Sequence, residues 1–161
     1  MLAQASTSSS SNSTFATRLR RECVDLQQNP VPYTFAGPTN DNLKTWLVIF
    51  EGSPGSLYEN GTFFATLLFD DDYPFTPPTL EFRTRIYHCN IYHFTGQMKH
   101  DMFDKGWIPT YTVRDILRKA SELLVQCEPD NCAMKELEIQ YKTQREEYNK
   151  MARLWTDKFA R

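Results

Sequence analysis

Three short runs in the middle of the chain carry side chains that could do chemistry: His88-Cys89-Asn90, Gly96-Gln97-Met98-Lys99-His100-Asp101 and Trp107-Ile108-Pro109. A cysteine thiolate can act as a covalent nucleophile, and Cys89 is the one cysteine lying in this segment. The plainer reading of Cys89 is a packed thiol. Lys99 is a weaker candidate, because an unperturbed lysine is only roughly 0.04% free amine at pH 7; the plainer reading there is a solvated loop lysine. His88, Cys89, His93 and His100 raise the question of a metal, but their spacing matches none of the common zinc patterns. Asp70-Asp71-Asp72 reads as a solvated turn. No metal site and no cofactor is expected.

These runs fall in a long irregular stretch, Thr84 to Tyr111, and loops of that length in a compact domain tend to be functional. The elements that must hold it can be read on either side. Phe15 to Asn29 has a helical pattern, with Leu19, Cys23, Val24 and Leu26 on one face and Pro30 and Pro32 ending it. Trp46 to Glu51, Thr62 to Phe69 (after the turn signal Asn60-Gly61) and Leu80 to Arg83 are strand-like. Tyr73-Pro74-Phe75-Thr76-Pro77-Pro78 is a rigid loop, since its prolines fix φ and withhold donors. Thr112 and Asp115 form a capping pair ahead of Ile116, Leu117, Ala120, Leu123 and Leu124 at helical spacing. Glu128-Pro129-Asp130-Asn131 reads as a turn flanked by Cys127 and Cys132, both expected to pack. A short helix near Ala133 to Tyr141 follows, then a last helix burying Tyr148, Met151, Ala152, Trp155 and Phe159. The pattern as a whole is an α+β domain.

At 161 residues one domain is expected, and 40% hydrophobic residues suffice for a core. A net charge of −2 gives no reason to expect nucleic acid or an anionic membrane surface as partner. No apolar run approaches a membrane span, and Met1 to Thr14 lack the charge and apolar core of a secretory leader. Residues 1–14, rich in Ser and Thr, are expected to form a disordered tail, with the folded domain at 15–161. Four cysteines are too few for a disulfide framework, so reduced thiols in the cytoplasm or nucleus are the expectation.

The three opening runs, in register with Trp46, Tyr73-Pro74-Phe75-Thr76-Pro77-Pro78, Arg85-Ile86-Tyr87-His88 and the ending Tyr141-Lys142-Thr143 to Trp155-Thr156, resemble ubiquitin-conjugating enzymes. The likeness spans roughly residues 17–161, and the ending resembles the members that build ubiquitin chains with RING-type ligases. It implies the UBC fold: an N-terminal helix, a four-stranded antiparallel meander, a long active-site loop and C-terminal helices. It also implies acyl relay, in which a cysteine carries ubiquitin as a thioester until a substrate amine attacks. Carried over residue by residue, Asn90 matches the asparagine that supports the oxyanion or its loop, and Asp101 the aspartate after the nucleophile. Asp130 and Asn131 stand where many members place an acid facing the incoming lysine. Pro74, Phe75, Trp107 and Pro109 match the surface that receives the RING domain. Arg18 and Arg21 match basic positions on the first helix that meet the activating enzyme and the ligase.

The departures gather at the chemistry. Aligned on Gly96, Asp101 and Trp107, Lys99 stands at the nucleophile position, Cys89 replaces the proline of His-Pro-Asn, and one extra residue lies between Asn90 and Gly96. Ile108 replaces a small polar residue, and Phe35 occupies a sheet position that is small and polar in chain-building members. An acyl group captured on Lys99 would end as an amide with a poor leaving group. The expectation is therefore a ubiquitin-pathway protein without thioester activity. It would act by binding ubiquitin or a ubiquitin-like modifier, a RING-type ligase, the activating enzyme or an active conjugating enzyme. The alternative is a transferase using Cys89, or a protein modified on Lys99.

Overall fold

The structure, a computed structural model, describes residues 8–161 apart from position 41, with side chains from Thr14 onward. A helix, α1 (Ser8–Gln28), leads into four strands, β1 (Thr34–Thr39), β2 (Asn42–Glu51), β3 (Thr62–Leu68) and β4 (Thr79–Phe82), paired antiparallel in chain order. A long irregular stretch follows, broken by one 3-10 turn at Asp101–Phe103. Then come α2 (Val113–Val125), a 3-10 turn at Pro129–Asn131, α3 (Lys135–Thr143) and α4 (Arg145–Phe159). No helix among the described residues is long and apolar enough to cross a membrane.

Alternation sets the sheet's two faces. Trp46, Val48 and Phe50 of β2, Phe63, Ala65 and Leu67 of β3, and Leu80 and Phe82 of β4 point into the core with the apolar face of α2. Phe35, Leu47 and Phe64 stay on the outer face, where the register sets Phe35 opposite Ile49 and Ile49 opposite Phe64. Asn60-Gly61 does turn the chain, with Asn60 at φ 66°. It closes the longer connection 52–61 rather than a two-residue hairpin, the Gly61 carbonyl accepting from Gly52 N at 2.9 Å.

Helix α1 differs from expectation at its start and on its face. It begins at Ser8 rather than Phe15, so the serine run is helical; residues 1–7 of the expected tail lie outside the described residues. Extending a helix that is already nucleated by packing is far cheaper than starting one, and serine is only a middling helix former. On its face, Leu19 and Leu26 are buried, whereas Val24 is half-exposed and Glu22 goes inside. The Glu22 carboxylate accepts from Tyr73 Oη at 2.6 Å and from Val113 N at 2.9 Å. Val113 N is one of the orphan donors of the first turn of α2, so this acid joins two helices and the proline loop. Burial outweighs those bonds and raises its pKa. The Thr112–Asp115 pair forms the expected capping box on the same turn. In α4, Tyr148 and Ala152 are buried, while Met151, Trp155 and Phe159 are only partly covered.

The irregular stretch is fastened to the sheet edge at Gly96. Phe82 N donates to Gly96 O at 2.7 Å and Met98 N to Leu80 O at 2.9 Å. Gly96 has φ +77°, and a Cβ there would lie 2.0 Å from the Phe82 carbonyl oxygen. Both strain and collision therefore oppose any side chain. Gly96→Ala should cost about 3 kcal/mol of stability, read as a lowered urea midpoint; a midpoint equal to that of the parent protein would contradict this account.

Candidate functional site

From Ile86 to Ile91 the irregular stretch is not a surface loop but part of the core, every residue buried. Buried backbone outside a helix or sheet must find partners one group at a time. Here the partners are side chains and neighbouring loops. Tyr58 Oη donates to Tyr87 O at 2.7 Å, Cys89 N donates to Tyr148 Oη at 2.9 Å, and Ala133 N donates to Cys89 O at 2.7 Å. His88 accepts from Asn90 N on Nδ1 at 2.9 Å and meets Leu123 O with Nε2 at 2.6 Å. The proton therefore sits on Nε2, and desolvation lowers the pKa of this wholly buried imidazole to about 4.

Asn90 is fully buried, and its amide is fully used. Nδ2 donates to Glu128 O at 2.9 Å and to Asn131 O at 3.1 Å, while Oδ1 accepts from Glu128 N at 3.0 Å. Both Nδ2 hydrogens are engaged, so none faces a reacting oxygen. This side chain pins the 128–131 turn. Glu128 extends the lattice through its carboxylate, which meets His100 Nε2 at 2.7 Å, Lys119 Nζ at 2.7 Å and Asn131 Nδ2 at 3.2 Å. The Lys119 bond, with His100, holds the Glu128 pKa down. Nothing in the sequence marks Glu128 for this role beyond its place before Pro129.

Lys99 lies at the edge of this lattice. Its backbone N donates to Asn90 O at 2.7 Å, and its exposed side chain reaches over to donate from Nζ to Cys132 O at 3.1 Å. A groove of about 460 Å³ runs beside it, walled by Pro78, Leu80, Tyr92, Met98 and Phe103. Asp101 is exposed and uses its carbonyl to close the next turn, accepting from Gly106 N at 2.7 Å. Asp130 is almost wholly exposed and ion-pairs with Lys142 at 3.4 Å. Asp130 and Asn131 flank the Lys99–Cys132 contact on the chain, but neither is bonded to Lys99 among the described residues.

Cys89 is entirely enclosed. The neighbouring Cys127 and Cys132 thiols, together with burial, push its pKa far up. A protonated thiol without solvent access does not meet an acyl donor arriving from outside in this conformation. The histidines do not gather around it. His93 stacks between Tyr87 and Trp155, and among the described residues no group of three or more potential ligands is arranged to hold a metal.

The second cluster of sequence-selected residues lies where α1 meets the two proline-bearing loops. Trp107 Nε1 donates to Pro74 O at 2.8 Å, and its ring packs against Tyr73 and Tyr111. Phe75 is 78% exposed, and Ile108 and Pro109 are also on the surface. Arg18, expected as a free basic contact, is tied inward. Its guanidinium donates to Pro109 O at 2.9 Å and Tyr111 O at 3.0 Å and lies over the Tyr73 ring. Arg21 remains exposed. The structure thus joins Pro74, Trp107, Pro109 and Arg18 into one unit and projects Phe75 from it.

Comparison with known proteins agrees with this geometry. The family model described as "Ubiquitin-conjugating enzyme" matches residues 18–156. A ubiquitin conjugating enzyme E2 domain from Toxoplasma gondii superposes with a TM-score of 0.81 at 28% identity, over 91% of this chain and 99% of that one. The fold is therefore the UBC fold inferred from the motifs.

Two outcomes follow from the lattice. Asn90→Ala should destabilise the protein by about 3 kcal/mol, because it strands buried partners, and should speed amide exchange at Glu128; Asn90→Asp, which turns an acceptor toward two carbonyls, should do no better. Unchanged exchange at Glu128 would dismiss the loop-support role. For His88 the folded-state pKa lies below the unfolded one, so the unfolded chain takes up the proton first. Stability is then intact above about pH 6.5 and falls as pH drops toward about 4, by roughly 3 kcal/mol in all. Comparing the pH slope of denaturation midpoints with that of His88→Gln checks this, since the variant should lose that part of the slope.

Proposed function

Since the chain belongs to the ubiquitin-conjugating enzyme family, we propose that it serves the ubiquitin pathway as a binding protein that forms no thioester. The observation that carries this reading is the state of Cys89, the cysteine that the motif itself sets beside Asn90. Cys89 is sealed in the core and its thiol is held protonated, while the exposed group at the site is the amine of Lys99. Were Lys99 acylated, the amide would not hand its acyl group onward, because an amine is a poor leaving group compared with a thiolate.

The partner surface is the Pro74–Trp107–Pro109 unit with Phe75 projecting. An exposed aromatic on a rigid base is the kind of anchor that dominates an interface, and in this family that face receives RING-type ligases. The indole–carbonyl bond from Trp107 to Pro74 and the Arg18 bonds to Pro109 and Tyr111 supply that rigid base. Occupying a ligase without charging would make the protein a competitor or companion of an active conjugating enzyme. A role in that pathway would be played in the cytoplasm or nucleus, which is part of the proposal.

Incubating the chain with activating enzyme, ATP and ubiquitin should give no thiol-sensitive adduct; one that disappears in Cys89→Ala would overturn the reading in favour of a transferase. A thiol-resistant adduct lost in Lys99→Arg would instead mean self-modification. Titrating a RING domain against the labelled protein should perturb Phe75, Trp107 and Pro109, and Phe75→Ala should weaken binding roughly tenfold or more. Absence of RING binding by the folded protein would refute the ligase part of the proposal.

A further inference from the structure

Three thiols converge from separate parts of the chain. Cys89 comes from the buried loop, Cys127 from just beyond α2, and Cys132 from just after the 3-10 turn; all are free. The Cys89 thiol neighbours both of the others, close enough for each to act on its acidity. The Cys132 thiol lies within 3.1 Å of the Cys89 carbonyl and of the Met134 carbonyl, which fixes the sulfur against the 89 backbone. The three differ in access. Cys89 and Cys127 are buried, and Cys132 is the partly exposed member of the cluster. They also differ in acidity. The neighbouring Cys89 thiol, then the Met134 backbone and last the Lys99 charge bring Cys132 down to about 7, whereas Cys89 is pushed the other way. A partly exposed thiol held against a sheltered one is the arrangement of a peroxide-reactive cysteine and its resolving partner.

We infer that Cys132 and Cys89 form a hydroperoxide-sensitive dithiol, in which Cys132 is oxidised first and Cys89 closes a reversible disulfide onto it. In the first step the Cys132 sulfur attacks the terminal peroxide oxygen. The O–O bond breaks, the remaining oxygen leaves as hydroxide or alkoxide and takes a proton from solvent, and Cys132 becomes a sulfenic acid. In the second step the Cys89 sulfur gives up its proton and attacks the Cys132 sulfur. The S–O bond breaks, and hydroxide departs with that proton as water. Two electrons pass from the sulfur pair to the peroxide. The disulfide would tie the 132 segment to residue 89, next to the turn that Asn90 already holds from the other side. This chemistry is independent of whether the chain carries ubiquitin.

The test uses the full chain, hydrogen peroxide at pH 7, intact mass and peptide mapping. The expected result is the loss of two hydrogens, reversed by dithiothreitol, with the bond mapped to Cys89 and Cys132. Cys132 should react about threefold faster than free glutathione, the gain in thiolate outweighing the fall in its nucleophilicity. Cys132→Ser should form no disulfide, Cys127→Ala should behave as the parent, and Cys89→Ala should accumulate a Cys132 sulfenic acid that dimedone traps. The parent mapping stands even if a variant folds poorly. A bond mapped to Cys127 or Cys23, first labelling at another cysteine, or no reaction beyond that of free glutathione would each overturn the inference.

Discussion

The structure turns on burying an irregular segment, Ile86 to Ile91, in a core otherwise made of helix and sheet. A helix or strand satisfies its own backbone; this segment cannot, and an unpaired buried amide or carbonyl costs as much as a lost hydrogen bond or more. The solution draws on the whole fold. Tyr58 reaches in from the β2–β3 connection, Tyr148 from α4, Leu123 from α2, and Ala133 from the start of the C-terminal helical region. Each of these contacts fixes one distant element to the segment, so the positions of α2 and α4 relative to the sheet and the shape of the site are one problem with one answer.

That constraint changes what the site residues do. Asn90, which the motif offers as a helper of chemistry, is consumed by Glu128 and Asn131. His88 is held neutral as a two-sided clamp, donating to Leu123 and accepting from Asn90. Cys89 lies where the backbone is most tightly held, and its thiol turns toward Cys127 and Cys132 instead of solvent. Lys99 is the group left outside, leaning on the Cys132 carbonyl. The same economy governs the loop face: Arg18 is committed to holding the 109–111 backbone, and the exposed apolar contribution falls to Phe75 and Ile108.

Much of the fold was legible along the chain. The Thr112–Asp115 box starts α2 where it was read, the strand-like runs at 46–51 and 62–69 fall in β2 and β3, and Pro30 ends α1 on time. Where reading along the chain failed, a partner distant in sequence decided. Val24 and Glu22 exchange places because Tyr73 and Val113 offer the carboxylate better bonds than solvent does at that angle of α1. The short run Thr34–Thr39 has little period of its own and is made a strand by β2. At the site, the motif located Asn90, Lys99, Trp107 and Pro74, yet gave no hint of Glu128 or Tyr148, whose roles arise only through contacts spanning 38 and 59 residues.

By itself the sequence determined the family, the domain class and the order of elements, because motif spacing and hydrophobic period are local and additive along the chain. Only the tertiary structure decided which groups are spent and which are free. Burial and hydrogen-bond saturation depend on what arrives from elsewhere: both hydrogens of Asn90 Nδ2 are taken, Arg18 is turned inward, and the thiol of Cys89 is shut away beside two others that the sequence keeps far apart.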